Sequence, residues 1–186
     1  LTPNFQAAFK RKHILMLGSL KLYKSPLEFI ELTKRLPQFI FVLVINDTKE
    51  NINIFIKEYK INISKNLTIY PQQNDVVPFY NQTSLVLNLS NKKQFVETFG
   101  LTALEAMSAG LPVIVPTEGG IAEMVVDGEN GYKIDVQNLN QIAECIKTIL
   151  SDETLYMELA QNALAYSKRF SEAKMVNSIE MILNRK

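Results

Sequence analysis

The residues best suited to chemistry lie between Glu97 and Glu105, where the sequence reads Glu-Thr-Phe-Gly-Leu-Thr-Ala-Leu-Glu. Glu97 follows an apolar run typical of a buried strand, and Glu105 lies two turns further on, within a predicted helix at Gly100–Ala109. The first backbone N–H groups of a helix have no partner inside it, and the helix dipole adds positive charge there. Such a terminus favours a phosphate group. Four residues supply these N–H groups: Phe99, Gly100, Leu101 and Thr102.

The segment from Ser90 to Asp135 resembles the family-four, group one, retaining glycosyltransferases. That family shows two glutamates separated by seven residues, then Ala-Met-small-Ala/Cys-Gly-x-Pro-Val-Ile, and then a Gly-Gly turn followed by Glu. The corresponding residues here are Glu97, Glu105-Ala-Met-Ser-Ala-Gly-Leu-Pro-Val-Ile114 and Gly119-Gly120-Ile-Ala-Glu123. A weaker likeness extends from about His13 to Phe170, which is most of the chain.

The resemblance implies the GT-B architecture, in which two Rossmann-like domains face each other across a cleft. This chain resembles the C-terminal domain, which holds the nucleotide sugar. By the same resemblance, Glu97 faces the transferred sugar as the catalytic carboxylate, and Glu105 holds both ribose hydroxyls of the donor. The chemistry agrees, because a carboxylate can accept two hydrogen bonds from a vicinal diol, and another can stabilise positive charge at the anomeric carbon. Phe99–Thr102 would hold the diphosphate, and Gly119 and Gly120 would let the backbone approach the sugar.

The loop after the first predicted strand carries the remaining donor-binding candidates. It reads Gly18-Ser19-Leu20-Lys21-Leu22-Tyr23-Lys24-Ser25. The family usually has Gly-Arg-Leu here, followed four residues later by Lys-Gly, and both cations neutralise the diphosphate. Gly18 and Lys24 match this pattern, whereas Ser19 replaces the arginine. Lys21 is a candidate to substitute for the missing charge.

Six short apolar runs are predicted strands, at residues 14–17, 39–45, 67–70, 85–89, 113–115 and 131–134. The second is apolar throughout, which is typical of a strand buried on both faces. A first helix is expected to open at Ser25-Pro26-Leu27-Glu28, with Ser25 as its cap, Pro26 at its first position and Glu28 completing a capping box. The next begins after Asp47 or Thr48, a short one spans about 75–82, and Gly110 ends the helix that carries Glu105. Three helices close the chain, the last capped by Ser171.

Strands that alternate with helices predict an α/β fold, a doubly wound, parallel, six-stranded, Rossmann-like sheet. We expect one domain over residues 1–186, with residues 1–12 as a linker to an N-terminal acceptor domain outside this chain. Ligands of such sheets bind beyond the carboxyl ends of the strands. The loops at 18–24, 90–99 and 116–121 are therefore the predicted site.

Composition bears on the compartment of the protein and on whether it binds nucleic acid, a metal or a cofactor. The chain has 186 residues, a net charge of +1 and one cysteine, which suits a globular protein of a reducing compartment, expected to be cytoplasmic or peripheral at the inner face of a membrane. No basic block of the kind that binds nucleic acid is present. No Asp-x-Asp pair or His/Cys cluster indicates a metal, and no cofactor is expected beyond a UDP- or GDP-type sugar donor.

Each candidate also has a structural interpretation. Glu105 could be a surface residue, Glu97 a helix-capping acid, Lys24 a solvated lysine, and Gly119-Gly120 an ordinary turn. The leading functional hypothesis is sugar transfer from a nucleoside diphosphate sugar to a saccharide or lipid-linked acceptor in cell-envelope polysaccharide synthesis. Two alternatives remain, a nucleotide-sugar epimerase-type isomerase and a degenerate, non-catalytic binding domain. The serine at position 19 motivates the second.

Overall fold

Six parallel strands form one sheet at the centre of the molecule. The computed structural model describes residues 3–98 and 100–170. The strands within them are β1 (His13–Gly18), β2 (Ile40–Ile45), β3 (Leu67–Tyr70), β4 (Leu85–Leu87), β5 (Val113–Val115) and β6 (Gly131–Lys133). Their spatial order is β3-β2-β1-β4-β5-β6. The predicted doubly wound parallel sheet is therefore confirmed.

The strand order reverses between β1 and β4. From β1 the chain moves outward over β2 and β3, and then returns to place β4 on the other side of β1. Leu15 of β1 is paired with Val42 on one side and Val86 on the other. Such a reversal separates the two loops that leave the neighbouring strands, and it opens a crevice at their carboxyl ends. The predicted location of the site follows directly from this topology.

Eight helices are described, and most of them lie where the apolar spacing predicts a helix. They are α1 (Phe5–Arg11), α2 (Pro26–Arg35), α3 (Lys49–Glu58), α4 (Val77–Asn81), α5 (Leu101–Ser108), α6 (Gly120–Glu123), α7 (Leu139–Ser151) and α8 (Glu153–Ser167). Thr48 caps α3, with its side chain accepting from the N–H of Asn51 at 3.2 Å. Gly110, which follows α5, has a φ of +72°, as expected for the residue that ends a helix.

The predicted capping box at the start of α2 is wrong. Ser25 does precede Pro26 at the first position of the helix, but its backbone is left-handed, with φ 56° and ψ 46°. Its side chain makes no capping hydrogen bond, and its buried Oγ has no hydrogen-bond partner among residues 3–98 and 100–170. The carbonyl oxygen of Ser25 still accepts from the N–H of Phe29, so the helix begins here through its backbone alone.

Several boundaries also differ from prediction. The short helix predicted at 75–82 is only Val77–Asn81, and the fourth strand ends at Leu87. The second strand begins at Ile40, which is 45% exposed, so burial on both faces applies only to its later residues. The helix predicted to begin at Ser171 lies outside the described residues.

The N-terminal segment contributes a helix to this domain. Residues 1–12 are predicted as a linker, yet Phe5–Arg11 form α1, with Ala8 and Phe9 in the hydrophobic core. The ring of Phe9 lies 5.3 Å from that of Tyr156 on α8. The hydroxyl of Ser84 donates to the carbonyl of Ala8 at 2.6 Å. These contacts attach α1 to the amino ends of the strands, opposite the loops that carry the candidate site.

Candidate functional site

A cavity of about 410 Å³ lies at the carboxyl ends of the central strands. It is bounded by the loops after β1 and β4, by the ends of β2 and β3, and by the start of α5. The predicted residues that line it are Gly18, Ser19, Lys24, Glu97, Gly100, Leu101 and Thr102. The tertiary structure thus brings together residues more than seventy positions apart, because β1 and β4 are neighbours in the sheet.

The two charged residues among those that line the cavity form an ion pair with each other. The Nζ of Lys24 donates to Oε2 of Glu97, and the side chains are 24% and 13% exposed. The hydroxyl of Ser90 donates to the same oxygen of Glu97 at 3.1 Å. Ser90 is itself buried and so fixes the carboxylate from the side of the strand end. The cavity is therefore formally neutral in this state.

The loop that carries Glu97 is braced against the loop after β1. The N–H of Asn91 donates to the carbonyl of Tyr23 at 2.7 Å, and the rings of Tyr23 and Phe95 stack at 4.8 Å. The ammonium of Lys24 lies 4.7 Å from the centre of the Phe95 ring. A cation over an aromatic face is attracted by its quadrupole. The position of Lys24 is consequently set by both an acid and a ring.

A second ion pair holds the same loop from the other side. Lys92 donates to Glu118 in the loop after β5 at 2.6 Å, and its Nζ lies 3.5 Å from Asp135 after β6. The hydrogen bond that Lys92 donates to Glu118 and the charges of both acids raise the pKa of Lys92 above its ordinary value. Loops from three strands are thereby joined around Glu97.

Two of the predicted glycines are required by close packing against protein atoms. Gly119 has a φ of +98°, and a Cβ on it would overlap the carbonyl oxygen of Glu97. A Cβ on Gly100 would overlap the side chain of Ile121 on α6. Gly119 and Gly120 do not line the cavity described above. The structure thus gives Gly119 a direct role in placing the Glu97 loop, while an approach of this turn to a sugar stays a prediction.

Glu105 is exposed on α5 and is held by a residue that sequence reasoning missed. The hydroxyl of Tyr80, on α4, donates to Oε2 of Glu105 at 2.7 Å. Tyr80 is only 5% exposed, and burial, followed by the hydrogen bond and charge of Glu105, raises its pKa well above the usual value. Glu105 is not among the residues that line the cavity, but it lies one turn beyond Thr102, which does.

The arginine position of the family pattern is occupied by a short side chain that leaves the cavity open. Ser19 lines the cavity, and its hydroxyl lies 3.4 Å from the N–H of Lys21. Lys21 does not line the cavity. Its charge instead acts on Asp47, whose pKa is lowered mainly by a hydrogen bond from Asn51 and in smaller part by Lys21. Substitution of Lys21 for the missing arginine charge stays a prediction.

Besides Asn88, which follows β4, three further amide side chains that were not predicted line the cavity. Asn46 follows β2, and Gln72 and Gln73 follow β3. The carboxyl-end rule could have identified them, since each comes directly after a predicted strand. Phe99, the remaining predicted phosphate-binding residue, lies outside the described residues.

Comparison with known proteins decides the family. The family model for glycosyl transferases group 1 matches residues 3–166. This chain belongs to that family. The resemblance seen in the sequence is therefore confirmed, and membership of this enzyme family supports sugar transfer as the reaction class.

Individual glycosyltransferases are also similar to this chain, in sequence or in fold. N-Acetyl-α-D-glucosaminyl L-malate synthase of Bacillus anthracis is 30% identical over 142 residues, which cover 76% of this chain and 36% of that protein. The crystal structure of Anabaena HepE in complex with UDP and glucose has a TM-score of 0.80 and 23% identity, covering 98% of this chain and 50% of that one. A crystallised C-terminal domain of a group 1 glycosyl transferase (LpcC) from Francisella tularensis has a TM-score of 0.70 and 25% identity, covering 91% of this chain and 93% of that one.

These comparisons place the chain within a larger architecture. It spans about a third of the Bacillus anthracis protein and half of HepE, and it nearly matches a solved C-terminal domain in length. The fold is that of the C-terminal half of a GT-B glycosyltransferase. Across residues 3–98 and 100–170, no helix is long and apolar enough to cross a membrane. Within the same ranges, no group of three or more His, Cys, Asp or Glu side chains is placed to hold a metal ion.

Proposed function

We propose that this chain binds the nucleoside diphosphate sugar donor of a retaining glycosyltransferase. The observation that carries the proposal is the meeting of Lys24, Glu97 and the start of α5 in one cavity at the point where the strand order reverses. A cation and a helix N-terminus suit a diphosphate, and a carboxylate suits the positive charge that develops at an anomeric carbon. Both kinds of group are needed in one place for sugar transfer from a nucleotide.

Lys24 and the first turn of α5 are the proposed diphosphate site. Backbone N–H groups at the start of a helix point along its axis, and the dipole contributes about half a positive charge. Lys24, which also lines the cavity, contributes one full charge. A diphosphate that enters between them competes with Glu97 for the ammonium, so donor binding is expected to loosen the Lys24–Glu97 pair.

Glu97 is the proposed catalytic carboxylate, and Glu105 is proposed to hold the ribose. Release from Lys24 would leave Glu97 facing the sugar bound beyond the phosphates. The similarity of fold to HepE, whose crystal structure contains UDP and glucose, supports a nucleotide and a hexose as ligands. The amide side chains of Asn46, Gln72 and Gln73, which line the same cavity after β2 and β3, supply hydrogen-bonding groups for a nucleobase.

The acceptor is proposed to bind mainly to the other domain of the GT-B pair. We propose a saccharide or lipid-linked acceptor, as in cell-envelope polysaccharide synthesis, and a cytoplasmic location, peripheral to the inner face of a membrane. Closure of two domains excludes water and aligns the acceptor. This chain by itself is therefore expected to bind nucleotide without transferring sugar, and neither a metal nor nucleic acid takes part in the proposal.

Calorimetry of this chain with UDP, GDP, ADP and their common sugars tests the proposal. We expect binding of at least one nucleoside diphosphate, and near-complete loss of that binding in Lys24→Ala. Lys93→Ala is the matched control, because Lys93 is an exposed lysine on the same loop as Glu97 and does not line the cavity. Failure of all three nucleotides to bind would overturn the proposal. A Lys24→Ala variant that binds like the wild type would show that the phosphates lie elsewhere.

A further inference from the structure

Tyr80 makes one strong hydrogen bond about one helical turn from the residues that line the cavity. Its hydroxyl has a single proton and has two acceptors nearby, Oε2 of Glu105 at 2.7 Å and the carbonyl of Thr102 at 3.4 Å. The shorter contact and the charge of the carboxylate direct the proton to Glu105. Because burial and the neighbouring acid hold the pKa of Tyr80 well above its usual value, the hydroxyl remains a donor at any working pH.

The two residues are placed by helices that both begin at the cavity. Val76, the residue that caps α4, and Thr102, in the first turn of α5, both line it. Tyr80 lies four residues after Val76, and Glu105 lies three residues after Thr102, so each is one turn further along the same helix face. The Tyr80–Glu105 bond therefore closes the corner between α4 and α5 directly behind the cavity wall.

Tyr80 is buried, whereas Glu105, which accepts its hydrogen bond, is exposed. Tyr80 is 5% exposed and packed against the hydrophobic core, so its ring has little freedom. Glu105 is an exposed side chain, and without a partner it would sample several rotamers. A ligand that needs one of those rotamers would have to order the side chain on binding, which weakens its affinity.

We propose that Tyr80 is a positioning residue: it holds one oxygen of Glu105 so that the other meets the vicinal hydroxyls of the donor ribose. This inference rests on the proposed function, because it assumes that a nucleotide is the ligand. It assigns to α4 a task in donor recognition that no residue type or spacing in the sequence indicated. Tyr80 acts only through Glu105 and need not touch the donor.

The test compares the affinity for nucleotides that carry both ribose hydroxyls with the affinity for nucleotides that lack them. Calorimetry would compare UDP, GDP and ADP with their 2′,3′-dideoxy counterparts on the wild type, Tyr80→Phe, Glu105→Gln and the double variant. We expect Tyr80→Phe to weaken binding of the preferred nucleotide about threefold to tenfold, from the cost of ordering one side chain. Binding of the dideoxy nucleotide should be unchanged, and Tyr80→Phe should add little to Glu105→Gln.

Tyr156→Phe is the matched control for loss of a buried phenol. Tyr156 is fully buried, and its hydroxyl donates to the carbonyl of Ser84 at 2.8 Å, at the amino ends of the strands and therefore opposite the cavity. It should leave the ribose discrimination as it is in the wild type. Equal weakening of both nucleotides by Tyr80→Phe would overturn the positioning role, as would full affinity in Tyr80→Phe alongside a loss in Glu105→Gln. In both of those cases the proposed function would stand, whereas a wild type that binds no nucleotide would overturn both.

Discussion

The Nζ of Lys24 and Oε2 of Glu97 form an ion pair that joins the loops after β1 and β4, the two strands on either side of the reversal in strand order. Each residue is a donor-binding or catalytic candidate, and each neutralises the other before any ligand is present. The same carboxylate oxygen accepts from Ser90 at 3.1 Å, so the pair is fixed in place. A diphosphate bound as proposed would therefore compete with Glu97 for the ammonium of Lys24.

Removal of the charge of Glu97 is expected to separate donor binding from catalysis. In Glu97→Gln, Lys24 is no longer neutralised, so the affinity for a nucleoside diphosphate should rise about threefold to tenfold, corresponding to an ion pair of about 1 kcal/mol. Sugar transfer by the protein that contains both domains should fall about a hundredfold or more, because stabilisation of transition-state charge is lost. Calorimetry on this chain and turnover at saturating donor are the two measurements.

Glu129→Gln is the control for the change in net charge, since Glu129 is exposed in the turn before β6. It should alter neither quantity. Weaker nucleotide binding by Glu97→Gln would show that Glu97 helps to hold the donor. Unchanged transfer would remove it from the catalytic role.

Restoring an arginine at position 19 is expected to tighten nucleotide binding. Ser19 lines the cavity, whereas Lys21 does not and its charge acts on Asp47. The cavity therefore has room for a longer side chain at position 19, and it lacks the second cation that the family pattern places there. Arginine can hold phosphate oxygens through two parallel hydrogen bonds. We expect Ser19→Arg to raise the affinity about tenfold, from a bond worth roughly 1.5–3 kcal/mol less the cost of ordering the side chain. Because part of this gain is Coulombic, it should shrink between low and high salt.

Calorimetry at two salt concentrations measures the effect. Ser19→Gln serves as the control, because it adds a long polar side chain without charge. An affinity for Ser19→Arg at or below that of wild type would show that another group already neutralises the phosphates.

The left-handed backbone of Ser25 predicts a stabilising substitution. The family usually has glycine here, and Ser25 has a φ of 56° and a buried Oγ without a hydrogen-bond partner. Left-handed backbone at a non-glycine residue costs about 1 kcal/mol or more, and a buried unsatisfied hydroxyl costs about as much again. Ser25→Gly should therefore raise the free energy of unfolding by roughly 1–2 kcal/mol, even though glycine has more entropy in the unfolded chain.

Urea unfolding of two variants separates the two causes. Ser25→Ala removes the hydroxyl but keeps the backbone strain, so its stability should lie between those of wild type and Ser25→Gly. Alanine and glycine variants of equal stability would mean that the hydroxyl alone matters. A glycine variant less stable than wild type would contradict the argument from strain.

Gly119 is expected to be intolerant of a side chain because of the Glu97 loop. A Cβ at Gly119 would overlap the carbonyl oxygen of Glu97, whereas a Cβ at Gly128 would meet nothing within 4 Å. Both glycines have positive φ, +98° and +76°, so Gly128→Ala controls for the strain of a positive φ, whereas Gly119 also has a ψ of 171°, a combination essentially confined to glycine. Gly119→Ala should cost about 1–3 kcal/mol more than Gly128→Ala in urea unfolding, from overpacking together with this additional backbone strain. Nucleotide affinity should change only in Gly119→Ala, and equal losses of stability would refute the packing argument.

Much of the fold could be predicted from local patterns. The strands at 67–70 and 113–115 were predicted at their observed bounds, and the caps at Thr48 and Gly110 were recognised from residue type. These features depend on interactions within a few residues, which a sequence displays directly. Ser25 shows where that reasoning fails. Its residue type indicates a helix cap, but its backbone is left-handed where the chain enters α2, and its side chain makes no capping hydrogen bond.

The spacing of Glu97 and Glu105, together with the Ala-Met and Gly-Gly segments, determined the family without any coordinates. Only the tertiary structure decided that Lys24 is paired with Glu97, that Tyr80 holds Glu105, and that Gly119 lies against the Glu97 backbone. Each of these contacts joins loops or helices that follow different strands. Strand order governs which of those segments become neighbours, and it is set by the packing of the whole sheet rather than by the residues at the contact.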